Sequence, residues 1–265
     1  MALSQRTATT PQGDMLTVQN NDRTLTIPQW SADFVDQKTY STFSALQNTV
    51  AQIAEKAQET HSRFNPEAVP DEMEKLKNST RIVAVWRQLL EQARRAKRKI
   101  EDDLAVLNRV PPATAASAAT DLAITQTYMA HKSVGDKMVF LGKLEDDETF
   151  PIARLPWAAS GLTETEFDQA VMRRVRRGNL VRSITDSNAS FSWPVTLKVL
   201  TPTGVDPEKV DWWLAQTMKN FDYRRDELGR VEEYLRYVVS FYALIFDLTH
   251  DAATKVFLPP VEIDA

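Results

Sequence analysis

Residues 71–110 read DEMEKLKNSTRIVAVWRQLLEQARRAKRKIEDDLAVLNRV, and this stretch decides the fold class. Its apolar side chains form one set at seven-residue spacing, interrupted only by Lys97, and a second set three residues further on: Leu76, Val83, Leu90 and Leu104, then Trp86, Ala93, Ile100 and Leu107. Alternating steps of three and four residues place such side chains on one face of an α-helix. The stretch therefore predicts a long amphipathic helix and a mainly α-helical fold.

The preceding residues show the same helical period. From Tyr40 onward, apolar residues recur three or four positions apart: Phe43, Leu46, Val50, Ile53, Ala57 and Phe64. Pro66 and Pro70 then interrupt the pattern. We predict that residues 39–110 form a long antiparallel helical hairpin. It ends at Pro111-Pro112, because neither proline can donate a backbone hydrogen bond.

The segments on either side of this hairpin are less regular. Residues 13–30 contain two alternating runs around the turn signal Asn20-Asn21-Asp22, so residues 1–38 are predicted to form an N-terminal arm or hairpin. The alternative for these residues is an unstructured leader. Residues 111–136 are rich in Ala, Ser and Thr and form a small-residue connector, which is either a closely packed helix or a linker. A helix is the favoured interpretation.

Residues 201–265 are predicted to contain the C-terminal helices and a tail. Asp206-Pro207 provides a cap and a first-turn proline for one helix. A second helix is predicted over residues 223–248, where two apolar stripes run side by side. Two apolar faces indicate burial on two sides, either inside the protein's own core or against another subunit.

The central segment, residues 137–200, has a different pattern. Short helices are predicted around Met138–Leu144 and Ile152–Ala159, followed by a helix that begins at a capping box formed by Thr163 and Glu166. Gly178 is expected to end this third helix. Beyond it, residues 180–184 and 191–200 have the character of two strands around the turn-like Asp186-Ser187-Asn188.

The order helix, helix, capped helix and β-ribbon resembles that of winged helix-turn-helix domains. The resemblance is carried by Ala159 to Thr163, by Phe167, Val171 and Val175, and by Gly178 to Val181, and it covers about a quarter of the chain. Two prolines depart from the family pattern: Pro156 lies in the second helix, and Pro194 would remove a hydrogen-bond donor from the second wing strand. The resemblance implies that the third helix enters the major groove of DNA.

That helix carries the candidate binding residues of the chain. They are Arg173, Arg174, Arg176 and Arg177, with Arg182 on the predicted following strand. Guanidinium groups bind phosphates and base edges, so this cluster is a candidate nucleic-acid or partner site. In contrast, Glu164, Glu166 and Asp168 give the start of the helix the wrong charge for a polyanion. Basic residues late in a helix also complement its dipole, which is an ordinary structural role.

A second basic run, residues 94–99, lies on the long helix and is followed at once by Glu101-Asp102-Asp103. Such alternation of charge is typical of intrahelical ion pairs on a solvated face. A stripe that contacts phosphates is the alternative interpretation.

The composition excludes several kinds of chemistry. The 265 residues include no cysteine, so disulfides, thiolate nucleophiles and cysteine-ligated metals are excluded. Only His61, His131 and His250 provide imidazoles, they lie far apart in sequence, and no glycine-rich phosphate loop is present. The acidic run 145–148 is typical of a solvated turn rather than of a metal site. We expect no enzyme activity, metal, cofactor or small-molecule substrate.

Charge and hydropathy set further expectations about location and partners. With 32 basic and 36 acidic residues the net charge is −4, so any surface that binds nucleic acid must be local. No apolar run approaches the ~20 residues that span a bilayer, and the first residues lack a signal-peptide core. We expect no membrane partner. The predicted location is cytoplasmic, or within an assembled particle such as a virion.

Two functions follow from these patterns. One is a non-enzymatic oligomeric structural or assembly protein, for example a component of a virus or phage particle, that contacts copies of itself or neighbouring structural proteins. The other is a nucleic-acid-binding protein, either a winged-helix regulator or a coat-like protein, that uses the basic helix. The absence of catalytic motifs and the two-faced C-terminal helix favour the first.

Overall fold

A computed structural model describes residues 3–10, 13–30, 37–186 and 207–258 of the chain. Within these residues the protein is mainly α-helical with one small antiparallel sheet, which confirms the predicted fold class. The chain divides into two compact units. The first comprises Met1–Arg98 and Tyr223–Ala265, and the second comprises Lys99–Asp222. Both boundaries fall inside helices, because α3 (Ile82–Asn108) and α10 (Pro207–Ile245) each continue from one unit into the other.

The sheet of the first unit consists of β1 (Leu3–Thr10), β2 (Gly13–Asn20) and β3 (Arg23–Gln29), paired antiparallel in that order. Asn20 pairs with Arg23, so β2 and β3 are joined by the two-residue turn that the Asn-Asn-Asp signal predicts. Asn21 adopts a φ of 53°, a left-handed conformation that asparagine tolerates well. The structure thus confirms the hairpin and adds a strand before it.

The helices of the first unit are α1 (Gln37–Arg63), α2 (Val69–Ser79), the first part of α3, the second part of α10, and α11 (His250–Phe257). The prediction of one continuous helix from residue 71 to residue 110 is wrong, because α2 ends at Ser79. Thr80 is extended, and its hydroxyl accepts a hydrogen bond from the Ile82 backbone amide at 3.3 Å. A threonine that bonds the backbone locally in this way competes with helix continuation.

Aromatic side chains from distant parts of the first unit meet in its core. The Phe43 ring lies 4.9 Å from that of Tyr234 and 6.4 Å from that of Trp30. Trp86 packs on Phe257 and donates a hydrogen bond from Nε1 to the Leu235 carbonyl at 2.8 Å. The stripe predicted on α1 faces this core: its buried members are Phe43, Leu46, Val50, Ile53 and Ala57.

The C-terminal region contains two helices, but they are not the two that were predicted. The helix predicted to start at Pro207 and the one predicted over residues 223–248 are a single helix, α10, which ends at Ile245. Residues 219–222, Lys-Asn-Phe-Asp, contain no glycine or proline that would end a helix. The second member of the pair is α11, whose N-cap Thr249 accepts from the Ala252 backbone amide at 3.2 Å.

The second unit is built from short helices around a small core. They are α4 (Ala118–Ala130), α5 (Val134–Lys143), a 3-10 turn (Asp147–Thr149), α6 (Phe150–Ala153), α7 (Trp157–Ser160), α8 (Glu164–Phe167), a π-helical turn (Asp168–Met172) and α9 (Arg173–Asp186). The core contains Tyr128, Leu141, Ile152, Leu162, Phe167 and Val171. The connector 111–136 therefore contains a helix, and the capping box between Thr163 and Glu166 is present as predicted.

The predictions around Gly178 are wrong. Helix α9 passes through Gly178 and continues to Asp186, so residues 180–184 are helical and not a strand. A Cβ on Gly178 would lie 3.6 Å from Asp147 Oδ1 and 3.7 Å from the Phe150 ring, which are ordinary contact distances, so the glycine neither ends the helix nor is required by its neighbours. The second predicted wing strand, residues 191–200, lies outside the described residues. The resemblance to winged-helix domains stays a prediction.

Candidate functional site: the arginine helix

The five predicted arginines lie together on α9, which we call the arginine helix. Four of them occupy its first turns, and Arg182 follows on the same helix rather than on a strand. The helix begins directly after the π-helical turn, which continues the capped α8. Each arginine has identified partners within the second unit.

Arg173 and Arg177 share one carboxylate. Arg173 lies 3.3 Å and Arg177 3.4 Å from Asp211, near the start of α10. Residues four apart lie on the same face of a helix, which explains how both reach it. Arg177 Nε also lies 3.1 Å from Asp146 Oδ2 and forms an ion pair there without the geometry of a hydrogen bond. The side chain of Arg177 is only 25% exposed, so this pair is partly shielded from water.

Arg174 binds backbone oxygens instead of a carboxylate. Its guanidinium donates to the carbonyl of Leu144 and, at 3.5 Å, to that of Gly142, at the C-terminal end of α5. The last carbonyls of a helix lack intrahelical partners and carry the negative end of the helix dipole. Arg174 therefore caps α5.

Arg176 and Arg182 are held by carboxylates on either side. Arg176, which is 15% exposed, binds both oxygens of Asp168 and donates from Nε to Asn108 Oδ1 at 2.7 Å. Arg182 lies 2.8 Å from Asp147 Oδ1, and its guanidinium sits 4.9 Å above the centre of the Phe150 ring. Planar two-pronged binding of this kind is specific to arginine.

The electrostatic result is a nearly neutral helix. Five guanidinium groups face four carboxylates, those of Asp146, Asp147, Asp168 and Asp211. Burial raises the pKa of Asp146, although Arg177 and Arg174 act in the opposite direction. A polyanion that bound here would have to displace carboxylates that are already in place. The arginines thus stabilise the second unit, regardless of which partner binds the surface around the arginine helix.

Sequence reasoning missed the acidic half of this network. The run 145–148 was predicted to be a solvated turn, yet two of its four carboxylates bind arginines that lie about 30 residues further along the chain. Asp211 was not singled out at all. The only available signal was that acidic and basic clusters of similar size occur in the same region, and sequence alone does not pair them.

An apolar surface lies beside the arginine helix. The exposed face of α5 carries Val134, Met138 and Val139, and the two glycines Gly135 and Gly142 lie on the same side. A groove of about 340 Å³ separates part of this face from the arginine helix. Its lining combines apolar and charged groups: Met138, Leu141, Gly142, Gln169, Ala170, Arg173, Arg174, Arg177 and Asp211.

One buried cluster of the second unit has the composition of a catalytic site but not its geometry. Lys137, only 8% exposed, donates to the Ser160 carbonyl at 2.6 Å, and the Tyr128 hydroxyl donates to the same oxygen at 3.0 Å. The Ser160 hydroxyl donates to the Trp157 carbonyl. The ammonium group of Lys137 and the hydroxyl groups of Tyr128 and Ser160 all donate to backbone carbonyls, and Ser160 is fully buried. The cluster therefore stabilises the turn after α7.

The second basic run, residues 94–99, forms ion pairs on an exposed surface. Arg94 pairs with Glu91 at 3.0 Å on the same helix, and Lys97 lies 3.6 Å from Glu232. Exposed pairs of this kind contribute little to stability. They support the interpretation of this run as a solvated face.

No protein-family model, curated protein or solved structure significantly matches the chain. Among the described residues, no helix is long and apolar enough to cross a membrane. The same residues contain no group of three or more histidine, aspartate or glutamate side chains placed to hold a metal ion.

Proposed function

We propose that this protein is a non-enzymatic structural or assembly protein that associates with copies of itself or with neighbouring structural proteins, in the cytoplasm or within an assembled particle such as a virion. The observation that carries the proposal is the exposed apolar face of α5. Monomeric proteins expose single apolar side chains as a rule, whereas a contiguous apolar helix face marks an interaction surface.

The composition of this face supports close packing by another protein. Val139 is 61% exposed, and Val134 and Met138 lie on the same side of the helix. A Cβ on Gly142 would meet no atom within 4 Å, and one on Gly135 would meet only the Ser133 hydroxyl at 3.9 Å. Glycine inside a helix costs about 0.5–1 kcal/mol relative to alanine. Since nothing within the chain crowds these positions, a partner backbone that approaches closely would account for both glycines.

The first test compares self-association of two matched variants. We expect Val139→Glu to weaken association about 100-fold, equivalent to about 2.7 kcal/mol, because it places a carboxylate at the most exposed apolar side chain of this face. Val106→Glu is the control, since Val106 has nearly the same exposure, 62%, but lies on α3. Sedimentation velocity and light scattering across a concentration series measure both. Equal behaviour of the two variants would contradict an interface at α5.

Gly142→Ala separates an interface role from a folding role. The change is expected to raise the stability of α5 by about 0.5–1 kcal/mol, because alanine favours the helix. The same methyl group would hold a packed partner away and so weaken association. Thermal unfolding should show a more stable protein, and sedimentation of the same preparation should show weaker association.

Nucleic-acid binding is the second candidate function. It is favoured by the five arginines on the arginine helix. The four carboxylates argue against it, since they already neutralise most of that charge. We expect wild-type protein to show weak binding with a shallow dependence on salt between about 50 and 200 mM, because few phosphates are contacted. Asp211→Asn should raise the affinity by releasing Arg173, whereas Arg177 keeps its ion pair with Asp146.

Fluorescence anisotropy with labelled DNA and RNA decides between the two candidates. Tight binding with a steep salt slope, lost when Arg173, Arg174, Arg176 and Arg177 are all replaced by alanine, would favour nucleic acid over protein as the partner.

A further inference from the structure

A groove in the first unit lies between α3, α10 and α11 and has a volume of about 530 Å³. Its floor is apolar and includes Leu90, Ala93, Leu235, Val239 and Leu258. Trp86 closes one side, with its indole nitrogen already bonded to the Leu235 carbonyl. The groove therefore offers its ligand an apolar surface rather than a set of free polar groups.

The rim of this groove is basic. Arg94, Lys97 and Arg236 line it together with a single carboxylate, that of Glu232. Glu232 pairs with Lys97, and Arg94 pairs with Glu91, whereas Arg236 is exposed and forms no ion pair with any described residue. A ligand for this groove should therefore combine apolar side chains with negative charge.

The chain itself carries such a segment directly after the last described residue of the groove. Residues 259–265, which lie outside the described residues, read Pro-Pro-Val-Glu-Ile-Asp-Ala. Two apolar side chains, Val261 and Ile263, alternate with two acidic ones, Glu262 and Asp264. In an extended chain, alternation places the two kinds on opposite sides. One side suits the apolar floor, and the long basic side chains of the rim can reach the other.

The end of α11, which directly precedes this segment, is held beside the groove. Arg87, on α3, donates to the Val256 and Phe257 carbonyls at 2.8 and 3.0 Å and so holds the end of α11. Leu258 is extended and lines the groove. Pro259 and Pro260 cannot continue the helix, because they lack the amide hydrogen. Seven residues reach at most about 25 Å, so the groove lies within their range.

We propose that residues 259–265 bind in the groove of their own chain, with Val261 and Ile263 on the apolar floor and Glu262 and Asp264 near Arg94, Lys97 and Arg236. Tethering favours this intramolecular ligand, because an attached segment has an effective concentration in the millimolar range. The proposal does not depend on the proposed function, since it concerns the first unit and the α5 face belongs to the second.

Cysteine cross-linking tests the proposal in the full chain, which has no cysteine of its own. Leu90→Cys and Ala265→Cys introduce one thiol in the groove and one in the segment, and a short bis-maleimide joins them if they are close. The control pair combines Ala265→Cys with Lys56→Cys, an exposed position on α1 outside the groove. We expect intramolecular cross-linking about tenfold faster in the groove pair, consistent with tethered binding.

Two further changes distinguish binding from chance proximity. Replacing Val261 and Ile263 with aspartate in the groove pair should reduce the rate to that of the control, because apolar contact with the floor is lost. Arg236→Glu should slow the reaction and reduce its dependence on salt, because Arg94 and Lys97 remain at the rim. Equal rates in the groove and control pairs, products that are only intermolecular, or a rate unaffected by either change would overturn the proposal.

Discussion

Replacing Phe43 with alanine is expected to lower the free energy of unfolding by about 3–5 kcal/mol, one of the two largest effects we predict for a single substitution. Phe43 is fully buried on α1 and packs between Trp30 and Tyr234. The substitution loses the transfer free energy of the ring and leaves a cavity that two large rigid neighbours cannot easily fill.

Phe64 provides the matched control for this prediction. It follows α1 directly and is 43% exposed, so Phe64→Ala should cost less than about 1 kcal/mol. Urea unfolding followed by far-ultraviolet circular dichroism measures both variants. A loss below about 1 kcal/mol for Phe43→Ala would contradict the packing of Phe43 on α1 against Tyr234 on α10.

Local signals predicted most of the elements of this fold. The two-residue turn between Asn20 and Arg23, the capping box at Thr163 and the apolar stripe of α1 each depend on residues only a few positions apart. Such signals express backbone preferences and amphipathicity that act within one element. They can therefore be recognised in the sequence without knowledge of the tertiary structure.

The errors arose where the tertiary structure, and not a local signal, decides the outcome. Gly178 is a typical helix terminator in sequence, but α9 continues through it, and Asp147 and Phe150 lie at ordinary contact distance from the position of a Cβ. The arginine cluster is typical of a phosphate site, but its character depends on carboxylates such as Asp146 and Asp211 that approach from other elements. The arginines between residues 173 and 177 do lie on one helix, as predicted, while the carboxylates that surround them were not predictable from the sequence.

The second large effect is expected at Gly161, in the turn after α7. Gly161 has a φ of +74°, and a Cβ there would lie 2.6 Å from Lys137 Nζ. An alanine would therefore adopt a left-handed conformation, at a cost of about 1–2 kcal/mol, and would displace the ammonium group. Displacement breaks the 2.6 Å hydrogen bond to the Ser160 carbonyl, which adds about 1–3 kcal/mol for a buried polar group.

We therefore expect Gly161→Ala to destabilise the protein by about 2–5 kcal/mol. Gly229→Ala is the control, because Gly229 lies in α10 with nothing within 4 Å of a Cβ. Alanine there should stabilise the protein by about 0.5–1 kcal/mol, since it favours the helix. Chemical unfolding of both variants measures effects of opposite sign from the same substitution.

A double-mutant cycle separates the two causes at Gly161. Lys137→Met removes the ammonium group but keeps a side chain of similar length, while Tyr128 continues to donate to the Ser160 carbonyl. If steric conflict with Lys137 contributes, Gly161→Ala should lower the free energy of unfolding less in the Lys137→Met background than in the wild type. The remaining loss should approach the roughly 1–2 kcal/mol expected for backbone strain alone. Strictly additive effects would show that the backbone conformation is the whole cause and that the lysine moves aside without loss.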